Sequence, residues 1–128
     1  MIMFTWSEEM IYSLAIALTL IILDYITGIV KAVCNKNLSS SKMREGLWHK
    51  CGFVLAICLA WVVEMGTQHV QLPFTLPVLV AVCTYITITE ITSIIENLGK
   101  INPELQSSKF LEIFDTTDNT PHHKEEEK

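Results

Sequence analysis

The sequence has no lysine or arginine before Lys31 and none between Lys50 and Lys100. All nine basic residues fall into two groups, five within Lys31–Lys50 and four from Lys100 onward. That distribution offers no basic face of the kind nucleic acid requires. Charge of either sign is missing from Met10–Leu23, from Cys51–Val63 and from Met65–Thr89, the last a run of 25 residues. Soluble core helices rarely hold so long an uncharged run, and roughly 20 mostly apolar residues cross the hydrocarbon core of a bilayer. The four cysteines (Cys34, Cys51, Cys58, Cys83) lack metal-ligand spacing. Three lie in or beside apolar runs, where cysteine acts as a small hydrophobe, so reduced non-ligand thiols are expected. His122 and His123 have no further ligands beside them, and no metal is expected there. No nucleophile–base pair, metal cluster or phosphate loop is recognisable, so neither an enzyme nor a cofactor is expected. The lead carries Glu8 and Glu9 where a secretory signal carries Lys or Arg, and no small-residue cleavage site follows. A cleavable signal peptide is therefore not expected. Met1, Met3 and Met10 are alternative candidate starts; Met10 reads better as an ordinary methionine, because a start there would delete the lead.

What remains is an all-α integral membrane protein of three transmembrane helices, a short C-terminal amphipathic helix and a disordered charged tail. The membrane unit is expected over residues 1–114, with spans at about 10–30, 50–66 and 74–95. Span one contains eleven Leu, Ile or Val residues, which favour insertion at roughly 0.3–0.6 kcal/mol each. Asp24 opposes it by about 2.5–3.5 kcal/mol at most. Ser13, Ala17, Asp24, Thr27, Gly28 and Lys31 recur at helical spacing on one face, which should turn away from lipid. Trp6 and Trp48 suit the two interfaces. The stretch from Cys34 to His49 reads as a polar, basic loop, with Ser39-Ser40-Ser41 as a helix start or turn.

Span two repeats Gly52, Ala56, Ala60 and Glu64 every four residues. Such a seam lets helices approach closely, within one chain or between subunits; small residues are also simply common in membrane helices. Glu64, near the span's end, is expected to reach the headgroups. Span three is expected to tolerate Pro73 and Pro77 in its first turn. Thr84, Thr87 and Glu90 form one polar stripe; Thr89, Ser93, Glu96 and Lys100 form another, with Glu96 and Lys100 placed as an i, i+4 ion pair. Gly99 can end this helix. Asn102-Pro103 then reads as the cap and first position of a helix over about 103–114, which either lies on the membrane surface or folds back on the basic loop. Residues 115–128 form a polar tail without periodicity.

With three spans, every basic residue lies on one side. Lys36, Lys42 and Arg44 anchor the first loop, and the positive-inside rule puts the N-terminus outside and the C-terminus in the cytoplasm. Asp24 and Glu90 both fall roughly 21–24 Å down their spans at 1.5 Å per residue. They are expected to share one layer with Lys31 and Lys50. That layer reads either as a structural polar contact or as a water-accessible or subunit-contact site.

Two blocks carry a family resemblance. Asp24-Tyr25-Ile26-Thr27-Gly28 with Ser41, Lys42, Gly46 and Lys50 is similar to one pattern of the phage holins, which include lysis and toxin-secretion holins of Gram-positive bacteria and their phages. Glu90-Ile91-Thr92-Ser93-Ile94-Ile95-Glu96-Asn97 with Asn102-Pro103 resembles that family's closing motif. The resemblance spans about residues 10–114. It implies a protein that homo-oligomerises in the host cytoplasmic membrane and opens timed lesions for an endolysin or toxin, without catalysis or cofactor. The motif positions it carries over are Asp24, Gly28, Ser41, Lys42, Gly46, Lys50, Glu90, Ser93, Glu96 and Asn97. Two other functions compete: a small proton-coupled transporter or its accessory subunit, with Asp24 or Glu90 as the proton site, and an antiholin that binds a holin.

Overall fold

The computed structural model describes residues 4–70 and 76–114. Met1, Met3, Pro73, Phe74 and the tail of residues 115–128, with His122-His123, lie outside the described residues. The chain is all-α, with no strand among the described residues. Helix α1 runs Glu8–Cys34, α2 Ser40–His69 and α3 Val78–Ile101; a 3-10 turn, Pro103–Gln106, leads into α4, Ser108–Phe114. All three long helices are long and apolar enough to cross a membrane.

Local chemistry sets most helix ends. Ser7 caps α1 by accepting from Met10 N–H, with Glu8 and Glu9 in the first turn beside the positive end of the helix dipole. At the other end, Lys36 N–H donates to Val33 O and Asn37 N–H to Ala32 O, the paired bonds of a Schellman cap. Lys36 takes the left-handed conformation there, with φ of 53°. Ser39 then caps α2, accepting from Lys42 N–H. The expected basic loop is therefore mostly helix: α2 begins at Ser40 and runs 30 residues, roughly 45 Å at 1.5 Å per residue. That exceeds the roughly 30 Å hydrocarbon core, so its first turns project beyond it and carry Lys42, Arg44 and His49.

Two expectations for α3 are corrected. The helix begins at Val78, with Pro77 at the N-cap instead of inside the first turn. Proline fixes φ but has no side-chain acceptor with which to cap, and the free N-terminal amide of α3 is met from another helix, as described below. At its far end α3 continues through Gly99 to Ile101. Gly99 does not terminate it. Its missing side chain instead leaves room for the Gln106 side chain of the 3-10 turn: a Cβ there would meet Gln106 Cγ at 2.6 Å. Asn102 caps that turn by accepting from Glu104 N–H, with Pro103 leading it. The expected helix over 103–114 is thus divided, and α4 packs on the 3-10 turn instead of the basic segment among the described residues. Phe110 and Phe114 stack edge-to-face there.

Helices α1 and α3 run parallel and in contact along their length, α2 antiparallel to both and mainly against α3. The shared core is Met10, Ala17, Ile21, Ile57, Ala60, Leu79, Cys83 and Ile86. The opposite surfaces stay apolar: Ile11, Ile16, Ile22, Leu55, Leu59 and Ile88 are exposed, as lipid-facing residues must be. The hydroxyls of Thr19, Thr84, Thr89 and Thr92 each donate to the carbonyl four residues back. Their polarity is thereby spent within the helix, which makes them tolerable at a lipid surface.

Candidate functional site

Near the basic end, five buried polar residues from all three long helices meet. Lys50 of α2 places its Nζ 2.5 Å from Asp24 Oδ2 of α1 and 2.5 Å from Glu90 Oε2 of α3. Asn97, two turns below Glu90 on the same face of α3, donates from Nδ2 to Asp24 Oδ1 and to Thr27 Oγ1, both at 3.1 Å. Its Oδ1 accepts from Lys31 Nζ at 2.8 Å. Thr27 in turn donates to the Asp24 carbonyl. Phe53 lies under the Lys50 ammonium, 5.7 Å from it to the ring centroid, and His49 meets Phe53 edge-to-face.

Burial explains why the groups must meet. Glu90 is 1% exposed and Lys50 8%, and an unpaired charge at such a position is costly in lipid. One ammonium between two carboxylates leaves a net negative charge. Lys31 stands beyond the Asn97 amide and pairs with neither carboxylate.

Lys50 and both acids thus come together, whereas Lys31 bonds Asn97 and touches neither carboxylate. Asn97 is the member that sequence reasoning placed only in a motif; its i+7 spacing from Glu90 is the signal that would have put it in the layer. Of the α1 face, Ala17, Asp24 and Thr27 are buried and Ser13, Gly28 and Lys31 half-buried. Gly28 lies where a Cβ would stand 3.8 Å from Asn97 Nδ2. Ser93 and Gly46 are half-buried, while Ser41, Lys42, Lys36 and Arg44 are exposed. Glu96 pairs with Lys100 at 2.8 Å on the surface.

In the α2 seam, Ala60 is buried, Ala56 half-buried and Gly52 exposed. Within one chain only its far half is used. Glu64 does not reach outward to headgroups: it is 6% exposed and its Oε2 accepts from Leu79 N–H at 2.7 Å. A carboxylate on α2 therefore caps the proline-led start of α3. No sequence spacing signals this contact, because it depends on how two helices dock. Beside it, Thr5 and Gln68 exchange two hydrogen bonds, tying the lead to the end of α2.

The model of the bacteriophage holin family matches residues 1–115. The chain belongs to that family. Three apolar helices of spanning length make this holin-family chain a multi-pass membrane protein. An uncharacterized protein of Halalkalibacterium halodurans is 27% identical to it over 88 residues, 69% of this chain and 65% of that protein. The chain thus covers just under two thirds of that relative's length. No solved structure matches it.

Proposed function

We propose that the protein is a lesion-forming holin of the bacterial cytoplasmic membrane, which accumulates, self-associates and opens a path for an endolysin or a secreted toxin. Family membership over residues 1–115 carries this reading. The buried charge layer supports it: Asp24, Lys50, Glu90 and Asn97 satisfy one another inside a single chain, and the same groups can line water or pair between copies once helices separate. Five basic residues in Lys31–Lys50 and four from Lys100 onward orient the chain with its N-terminus outside and its C-terminus in the cytoplasm.

The test is inducible expression in a bacterium with a co-expressed endolysin, following membrane potential and turbidity. Abrupt depolarisation and release of the endolysin are expected. Full-length protein in the membrane with unchanged potential and growth overturns the lesion reading and leaves that of an antiholin, which should be harmless alone. The acid pair favours one second reading, a small proton-coupled transporter; substrate-driven proton flux in vesicles, abolished by Glu90→Gln, would establish it instead.

A further inference from the structure

A cavity of about 450 Å³ opens at the basic end between α1, the start of α2 and the end of α3. Its size falls in the range of small-ligand pockets, roughly 300–1,000 Å³. Four lysines line it: Lys31, Lys42, Lys50 and Lys100. Two are neutralised at short range, Lys50 by Asp24 and Glu90 and Lys100 by Glu96. The other two are not. Lys31 bonds only the neutral Asn97 amide, and Lys42 has no carboxylate within ion-pairing distance among the described residues. The same cavity presents Ile29 and Met43 beside these cations. Asp24 also lines the cavity, but its carboxylate is taken by Lys50 and Asn97. A concave site pairing two ammonium groups that contact no carboxylate with an apolar wall matches an anion that continues into hydrocarbon.

We propose that this cavity holds the phosphodiester headgroup of an anionic phospholipid from the leaflet at the basic end, with Lys31 and Lys42 on the phosphate and the glycerol and first acyl carbons against Ile29 and Met43. A free phosphate shares the anionic chemistry but has no use for the apolar wall. Basic pockets between transmembrane helices are a recurrent way of holding lipid headgroups. The proposal rests on the membrane reading of the chain and not on lesion formation, and its test requires no lysis.

The full-length chain is reconstituted in phosphatidylcholine vesicles with trace spin-labelled phosphatidylglycerol or spin-labelled phosphatidylcholine, and the protein-associated fraction of each is compared. Wild type should prefer the anionic lipid by about tenfold, the scale of a charge-assisted hydrogen bond. Lys31→Gln combined with Lys42→Gln should bring the ratio close to one. Glutamine at 31 keeps a donor for Asn97 and Lys42 is exposed; helical content and thermal unfolding matching wild type show that a lost preference comes from the cavity and not from the fold. Lys36→Gln removes a charge at the same end but outside the cavity, and should leave the ratio within about twofold. An equal loss in Lys36→Gln, or a wild-type ratio near one, overturns the site. Displacement of the labelled lipid by inorganic phosphate identifies a free-anion site and overturns the lipid assignment.

Discussion

Lys50 joins all three long helices, because its one ammonium serves a carboxylate on each of the other two. Lys50→Met leaves Asp24 and Glu90 buried without their cation. Removing one partner of a buried ion pair costs about 3–5 kcal/mol, so thermal unfolding in detergent should shift down strongly. Adding Asp24→Asn and Glu90→Gln to that variant should recover most of the loss, since no uncompensated charge remains. Asp24→Asn alone is gentler: the asparagine Oδ1 still accepts from Asn97, and only the ion pair goes. Membrane insertion should stay intact while lysis timing shifts; unchanged timing reduces Asp24 to a structural contact. The common depth of Asp24 and Glu90 was legible from counting residues along two parallel spans. What counting could not supply was partner choice. Lys31 and Lys50 both carry the right charge at the right end, and helix rotation alone decides that Lys50 reaches the acids and Lys31 reaches Asn97.

At the scale of helices, the apolar runs announced all three spans, yet their ends lay elsewhere. The basic segment reads as a loop when charge is weighed, because charged residues do not belong in lipid. They are nevertheless compatible with a helix projecting from it, and the Ser39 cap starts α2 about ten residues before the oily run. Two ends are testable. Lys36 occupies the left-handed position of a Schellman cap, where glycine is favoured and other residues pay roughly 1–2 kcal/mol. Lys36→Gly should therefore raise the unfolding temperature, by the equivalent of about 1 kcal/mol; a fall would show that its ammonium does more than balance its backbone. Glu64 supplies the cap that Pro77 lacks. Glu64→Ala should destabilise by about 0.5–2 kcal/mol, as loss of an N-cap does, whereas Glu64→Gln, which keeps an acceptor for Leu79 N–H, should retain most of the stability. Equal losses in the two variants would mean that charge, not the hydrogen bond, holds the helices together.

For the whole molecule, the proposed self-association needs a surface, and the unused half of the α2 seam offers one. Ala60 packs inside the chain, but Gly52 is exposed and a side chain added there meets nothing within 4 Å. A seam spent entirely on internal packing would be buried from end to end. Small residues help membrane helices associate because they let backbones approach, so Gly52, in the seam and within the apolar run, is a place where a second copy can come close. Cys51 is its neighbour and is exposed, as are Cys34 and Cys58. With Cys34→Ser and Cys58→Ser in place, a short thiol cross-linker acting on membranes should link copies through Cys51. Adding Gly52→Leu should abolish that product while leaving thermal unfolding of the detergent-solubilised monomer unchanged, because the leucine has open space within one chain. Cross-linking that survives Gly52→Leu would place contact between copies on another face. The exposed apolar surface of α1 is then the next to probe, since α3 is already engaged by both its neighbours.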